Sequence, residues 1–184
     1  MRRKGTKEKI LEASLRLFSE KGIRETTIKD IAKEVGITEG AIYRHFKSKE
    51  EIVLGLFSSY SEELYNRLIS VVKEEAPYKE RFYKAVETFL SFAFENPSAF
   101  KYLNIFHYLR AEDIKGFERL PKDALLELIE SGIEEGLIKI RKEYALAVFV
   151  GTLERIFLLV DVGLIGKEEV KTEEIANIIW KSLS

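Results

Sequence analysis

Cysteine is absent from this 184-residue chain, and methionine and tryptophan occur once each. Without cysteine, disulfides, thiolate catalysis and cysteine-ligated zinc are excluded. Proline occurs only as Pro77, Pro97 and Pro121, each at a place where a helix can begin. No apolar run approaches the roughly 18 residues that a membrane-spanning helix needs. The basic start Met1-Arg2-Arg3-Lys4 is not followed by the apolar stretch of a signal peptide, so a cytoplasmic location is expected. Alternating strand patterns, hairpin signals, phosphate-cradling glycine loops and metal-spaced clusters are also missing, and there are only two histidines. An enzyme, a bound metal and a cofactor are therefore not expected.

What is present is helical periodicity and an uneven charge. The net charge is −1, but residues 1–50 hold 13 Lys and Arg against 8 Asp and Glu, and the remainder holds 17 against 23. A basic head on an acidic body is the electrostatic footprint of a nucleic-acid reader. Apolar residues at helical spacing predict a first helix over 6–21, closed by Gly22. A second helix is predicted over 27–35, with Thr27 and Asp30 as a near capping box and Gly36 as its stop. A third is predicted from the cap Thr38 through Phe46. Ser48 with Glu51 forms a full capping box that opens a long fourth helix, to about Glu75. Helices are then expected over 78–95, 97–109, 121–136, 143–162 and 172–183, with 110–120 as a connection. The fold class is all-α: a three-helix head joined by a long helix to a helical body, about nine helices in total. The second and third helices, separated by Gly36, have the layout of a helix-turn-helix over 27–46, whose second helix enters the major groove.

The series Phe18-x3-Gly22, Thr26-Thr27-x2-Asp30-Ile31-Ala32, Val35-Gly36-Ile37-Thr38-x-Gly40-Ala41-Ile42-Tyr43-x-His45-Phe46 and Lys49-Glu50 resembles the DNA-binding domain of the TetR/AcrR family of transcriptional regulators. The resemblance covers about residues 6–55. It implies a DNA-binding domain over 1–50 and a ligand-binding and dimerisation domain over 51–184. Thr26, Thr27, Thr38, Gly40, Ala41, Tyr43, Arg44, His45 and Lys49 are the candidate DNA contacts. Helix N-termini attract phosphate, so Thr27 and Thr38 serve either as N-caps alone or as caps that also touch phosphate. Gly40 lets the helix approach the groove floor, and Ala41 is a candidate for a thymine methyl. Tyr43 and His45 match the family's phosphate-contacting positions. Arg44 suits either a guanine edge or a phosphate. Glu39 either reads a cytosine amine or points to solvent. Lys49, in the first turn of its helix, opposes the dipole but suits a phosphate. Arg2, Arg3, Lys4 and Lys7 form either a backbone-tracking arm or a solubilising tail.

The body is rich in aromatics between 82 and 117. They serve either as core or as the walls of a cavity for an apolar or aromatic inducer. The candidate lining is Phe89, Phe92, Asn104, Phe106, His107 and Arg110. The 143–162 helix is apolar nearly all round, which implies burial on more than one side. The resemblance implies a homodimer through this helix and the last one, with Phe149, Gly151, Thr152, Arg155, Ile156, Ile175, Ile178 and Ile179 as candidate contacts. Trp180 is either an interface residue or a core anchor. The function expected is a repressor released from a palindromic operator on double-stranded DNA by a small-molecule inducer. The alternative is an architectural DNA-binding protein without an inducer pocket.

Overall fold

The computed structural model describes residues 5–184, and all regular structure among them is helical. The α-helices are α1 Thr6–Lys21, α2 Ile28–Val35, α3 Glu39–Tyr43, α4 Lys49–Val72, α5 Tyr78–Glu95, α6 Pro97–Leu109, α7 Ala111–Ile114, α8 Pro121–Glu134, α9 Lys142–Asp161 and α10 Thr172–Leu183, and a 3-10 turn occupies Lys167–Glu169. The count exceeds the expected nine because the 110–120 connection contains the one-turn helix α7. Arg2, Arg3 and Lys4 of the expected basic arm lie outside the described residues.

Local chemistry sets the helix ends of the head. The C-cap Gly22 takes φ +100° and ends α1. Gly36 adopts the left-handed conformation at φ +75°, and its N–H reaches back to the carbonyls of Ala32 and Lys33. α3 is shorter than expected, ending at Tyr43, because the N–H groups of His45 and Phe46 both fold back onto the Ile42 carbonyl, at 2.8 and 3.0 Å. At α4 the Ser48 hydroxyl accepts from Glu51 N at 3.2 Å, as the capping box predicts. The returning Glu51 carboxylate, however, takes the Lys47 N–H, one residue earlier than expected.

The chain forms two compact units. The first comprises the residues up to Ser61 together with Asn96–Glu118; the second comprises Glu62–Glu95 and Arg119–Ser184. The first unit is the helix-turn-helix head plus α6 and α7. Ile10, Phe18, Ile31, Ile42, Ile52 and Phe57 are its sealed core. α6 joins that core through aromatic side chains: Tyr102 stacks on Phe18 with ring centres 5.9 Å apart, and Phe106 stacks on Phe57 at 3.9 Å. The Tyr102 hydroxyl donates to the Val53 carbonyl at 2.6 Å. Burial pushes that hydroxyl's pKa well above the usual tyrosine value, so it remains a donor at any ordinary pH.

The second unit packs α5 against α8, α9 and α10. Phe82 lies at its centre, edge-on to Phe149 at 5.4 Å and to Trp180 at 5.3 Å. Trp180 is thus a core anchor, one of the two roles its sequence position allowed. Tyr83 is tied to Asn177 of α10 by a short hydrogen bond. No helix among the described residues is long and apolar enough to cross a membrane, and none of their side chains form a cluster fit to hold a metal.

Candidate nucleic-acid interface

The head exposes polar residues at the two helix starts and in the turn after α3. Thr27 caps α2: its hydroxyl oxygen accepts from Asp30 N at 3.1 Å, while the Asp30 carboxylate accepts from Thr27 N at 2.8 Å and from the Thr27 hydroxyl at 2.7 Å. These bonds, the hydroxyl's first, hold the Asp30 carboxyl below its usual pKa. Thr38 caps α3, its hydroxyl oxygen accepting from Ala41 N at 3.2 Å. Both threonines are exposed, as are Glu39, Gly40, Tyr43, Arg44 and His45. Tyr43, a large aromatic, is 53% exposed. Tyr43, Arg44 and His45 make no side-chain hydrogen bond or ion pair among the described residues, so their polar groups are available to a ligand. An exposed tyrosine, arginine and histidine beside two capped helix starts suit an anionic duplex.

Three sequence-derived DNA contacts fall elsewhere. Thr26 is fully buried, and its hydroxyl is directed at the carbonyls of Gly22, 2.8 Å, and Leu17, 3.3 Å. Its role is to close the α1–α2 connection. Ala41 is buried beneath α3 and belongs to the core, not to a thymine contact. Lys49 is half-buried and turned inward, its ammonium donating to the carbonyls of Ile23 at 2.8 Å and Thr26 at 2.9 Å. The sequence carried no signal for that inward turn, because the acceptors are main-chain atoms more than twenty residues away.

The six ligand candidates are divided between the units. Phe89 and Phe92 are buried core residues of the second unit, on α5. The other four belong to the first unit. Phe106 is fully buried against Phe57, and His107 meets the same ring edge-on with centres 5.9 Å apart. Arg110 is occupied by charge: its guanidinium forks onto the Glu50 carboxylate and pairs with Asp113. The bonds it donates to Glu50, then to Asp113, raise its pKa above an already high value. Arg110 thus joins the α6–α7 junction to the first turn of α4. Asn104 is half-buried on α6.

The dimer candidates divide as well. Phe149, Ile175 and Ile179 are core residues of the second unit, sealed against α5 and its neighbours, which corrects their assignment to a surface. Gly151, Arg155 and Ile178 are exposed, and Thr152 and Ile156 half-buried. α9 keeps an outward line of Tyr144, Gly151, Leu158 and Val162, with Tyr144 60%, Leu158 40% and Val162 58% exposed.

Residues 10–56 match the family described as bacterial regulatory proteins, tetR family. A nucleoid occlusion factor, SlmA, of Vibrio atlanticus is 35% identical over 136 residues, 73% of this chain and 67% of that protein. An uncharacterized HTH-type transcriptional regulator, YerO, of Bacillus subtilis is 42% identical over 82 residues, 44% of this chain and only 28% of that protein. Among solved structures, a TetR family transcription regulator from Marinobacter aquaeolei superimposes with a TM-score of 0.82 at 19% identity, over 96% of this chain and 94% of that one. The chain belongs to the TetR family of DNA-binding transcriptional regulators.

Proposed function

We propose that this regulator is a cytoplasmic repressor that binds a palindromic operator as a homodimer and leaves it when a small apolar or aromatic ligand binds. The observation that carries the reading is the exposed trio Tyr43, Arg44 and His45, unpartnered beside the capped starts of α2 and α3. In it Thr27, Thr38, Tyr43 and His45 hold phosphates and fix the register, and Arg44 reads a base edge. Gly40 leaves room for α3 to sit deep in the groove. The outward apolar line of α9, with Ile178 of α10, supports a two-fold interface between copies. Such a dimer sets two reading helices roughly 34–36 Å apart, one turn of duplex, or a multiple of it.

α4 carries residues of both units, so it is a continuous helical path by which an event in the second unit reaches the first. A ligand releases DNA only by preferring the non-binding conformation. A preference of about 2–3 kcal/mol weakens operator binding by tens to over a hundredfold. A second reading, DNA binding without an inducer, draws on the match to the nucleoid occlusion factor, which at 136 residues extends beyond the head.

Selection of bound sequences from random duplex DNA, at stated salt, tests the proposal. Recovery of a palindrome with fixed half-site spacing is expected. Sequence-blind binding that collapses steeply with salt would sink the operator reading. Thermal-shift screening with apolar and aromatic compounds then separates the two readings, since only the repressor has a compound that both stabilises the protein and releases the duplex.

A further inference from the structure

Lys49 opens α4, where a cation opposes the positive end of the helix dipole. Its aliphatic stem carries the charge away from that end, to the connection that follows α1. There the ammonium donates to the Ile23 carbonyl at 2.8 Å and the Thr26 carbonyl at 2.9 Å. Both acceptors are main-chain carbonyls of the α1–α2 connection, and hydrogen bonds from a charged donor are stronger than neutral ones. The same connection is held from inside by the buried Thr26 hydroxyl, directed at Gly22 and Leu17. It leads directly into Thr27, the cap of α2. The connection is therefore held at Gly22, Ile23 and Thr26, and Lys49 is the holding group that comes from α4.

We propose that Lys49 is a positioning residue of the DNA-binding head. It fixes where α2 begins, and with it the exposed surface of α2 and α3, and takes no phosphate itself. The inference rests on the DNA-binding reading above, and it assigns to a lysine in a phosphate-contacting sequence pattern a different task. Two of the three ammonium donors are used on carbonyls, and those two bonds fix the direction of the third, so a phosphate that drew the ammonium outward would do so at the expense of the bonds that hold α2 in place.

The test uses the full chain and a short labelled duplex of the sequence recovered by selection, titrated over a range of salt. Lys49→Ala is expected to lower Tm by roughly 5 °C, to speed amide exchange across residues 22–30, and to weaken binding by roughly tenfold. The slope of log affinity against log salt is expected to stay unchanged. Lys49→Arg, which can still donate to both carbonyls, should restore most of Tm and affinity. A fall of about 1.8 in the slope, the signature of one lost phosphate contact in each protomer of the dimer, overturns the proposal whatever happens to Tm. Unchanged Tm and exchange overturn it as well. If Lys49→Ala does not fold, Lys49→Gln gives the same slope comparison. Were the wild-type chain to bind no duplex at all, the DNA-binding reading would fail, while Tm and exchange would still report on the Lys49 bonds.

Discussion

Gly132 of α8 is confined by Tyr78, whose buried ring and hydroxyl occupy the space a methyl group would need. The Tyr78 hydroxyl has no hydrogen-bond partner, and burial raises its pKa, so it is a neutral group carrying an unmet desolvation cost. Gly132→Ala should therefore lower stability by about 1–3 kcal/mol through overpacking. Tyr78→Phe should be neutral or stabilising. Denaturant unfolding of both variants checks this, and a costly Tyr78→Phe would mean that the hydroxyl has a partner in solution. On the reading surface the expected change is in specificity. Arg44→Ala should relax preference at one operator position and cost about 1–3 kcal/mol there. If selection with the variant returns the same site at every position, Arg44 is not a base reader.

The helices themselves were largely legible in the sequence. α1, α5, α6 and α10 run between the expected residues, because glycine stops, proline starts and threonine caps are local signals. α7 was not, since one turn has no periodicity to read. The larger omission was where α6 belongs. Tyr102 and Phe106, four residues apart, share a face of α6, but spacing cannot name the partner, and Phe18 and Phe57 are far away in sequence. For the same reason Arg110 suited a ligand pocket in the sequence and an ion pair with Glu50 in the structure. The two ways in which α6 and its flank hold the head differ in strength. Phe106 is sealed and stacked, so Phe106→Ala should cost about 3–5 kcal/mol. Glu50 is 46% exposed where it meets Arg110, and solvent screening limits Glu50→Gln to under about 1 kcal/mol. Chemical denaturation of the two variants compares them directly, and a larger loss in Glu50→Gln would show that charge, not packing, fastens α6.

At the scale of the whole molecule, the line of Tyr144, Gly151, Leu158 and Val162 leaves apolar surface that a second copy would cover. Leu158→Lys buries a charge in such an interface and should shift the protein to monomer in sedimentation velocity. It should also weaken binding to a palindromic duplex by at least about a hundredfold, because each head then binds alone. A half-site duplex should be bound as before. Retention of the dimer by Leu158→Lys would place the interface elsewhere. The sequence suggested the interface from an all-round apolar helix but mixed its two sides: Phe149 faces the core and Leu158 faces out, and both satisfy the same pattern.

The first unit is also discontinuous in the chain, closing only when Asn96–Glu118 has been made. A ribosome releases the DNA-reading helices first, with the rings of Phe18 and Phe57 still lacking the Tyr102 and Phe106 rings that cover them. Vectorial synthesis thus inserts a delay, the time to make residues 62–118, between a nascent head and a finished one. During that delay the regulator is a candidate for chaperone capture, and a fragment truncated at Ser61 inherits the same uncovered aromatic surface permanently.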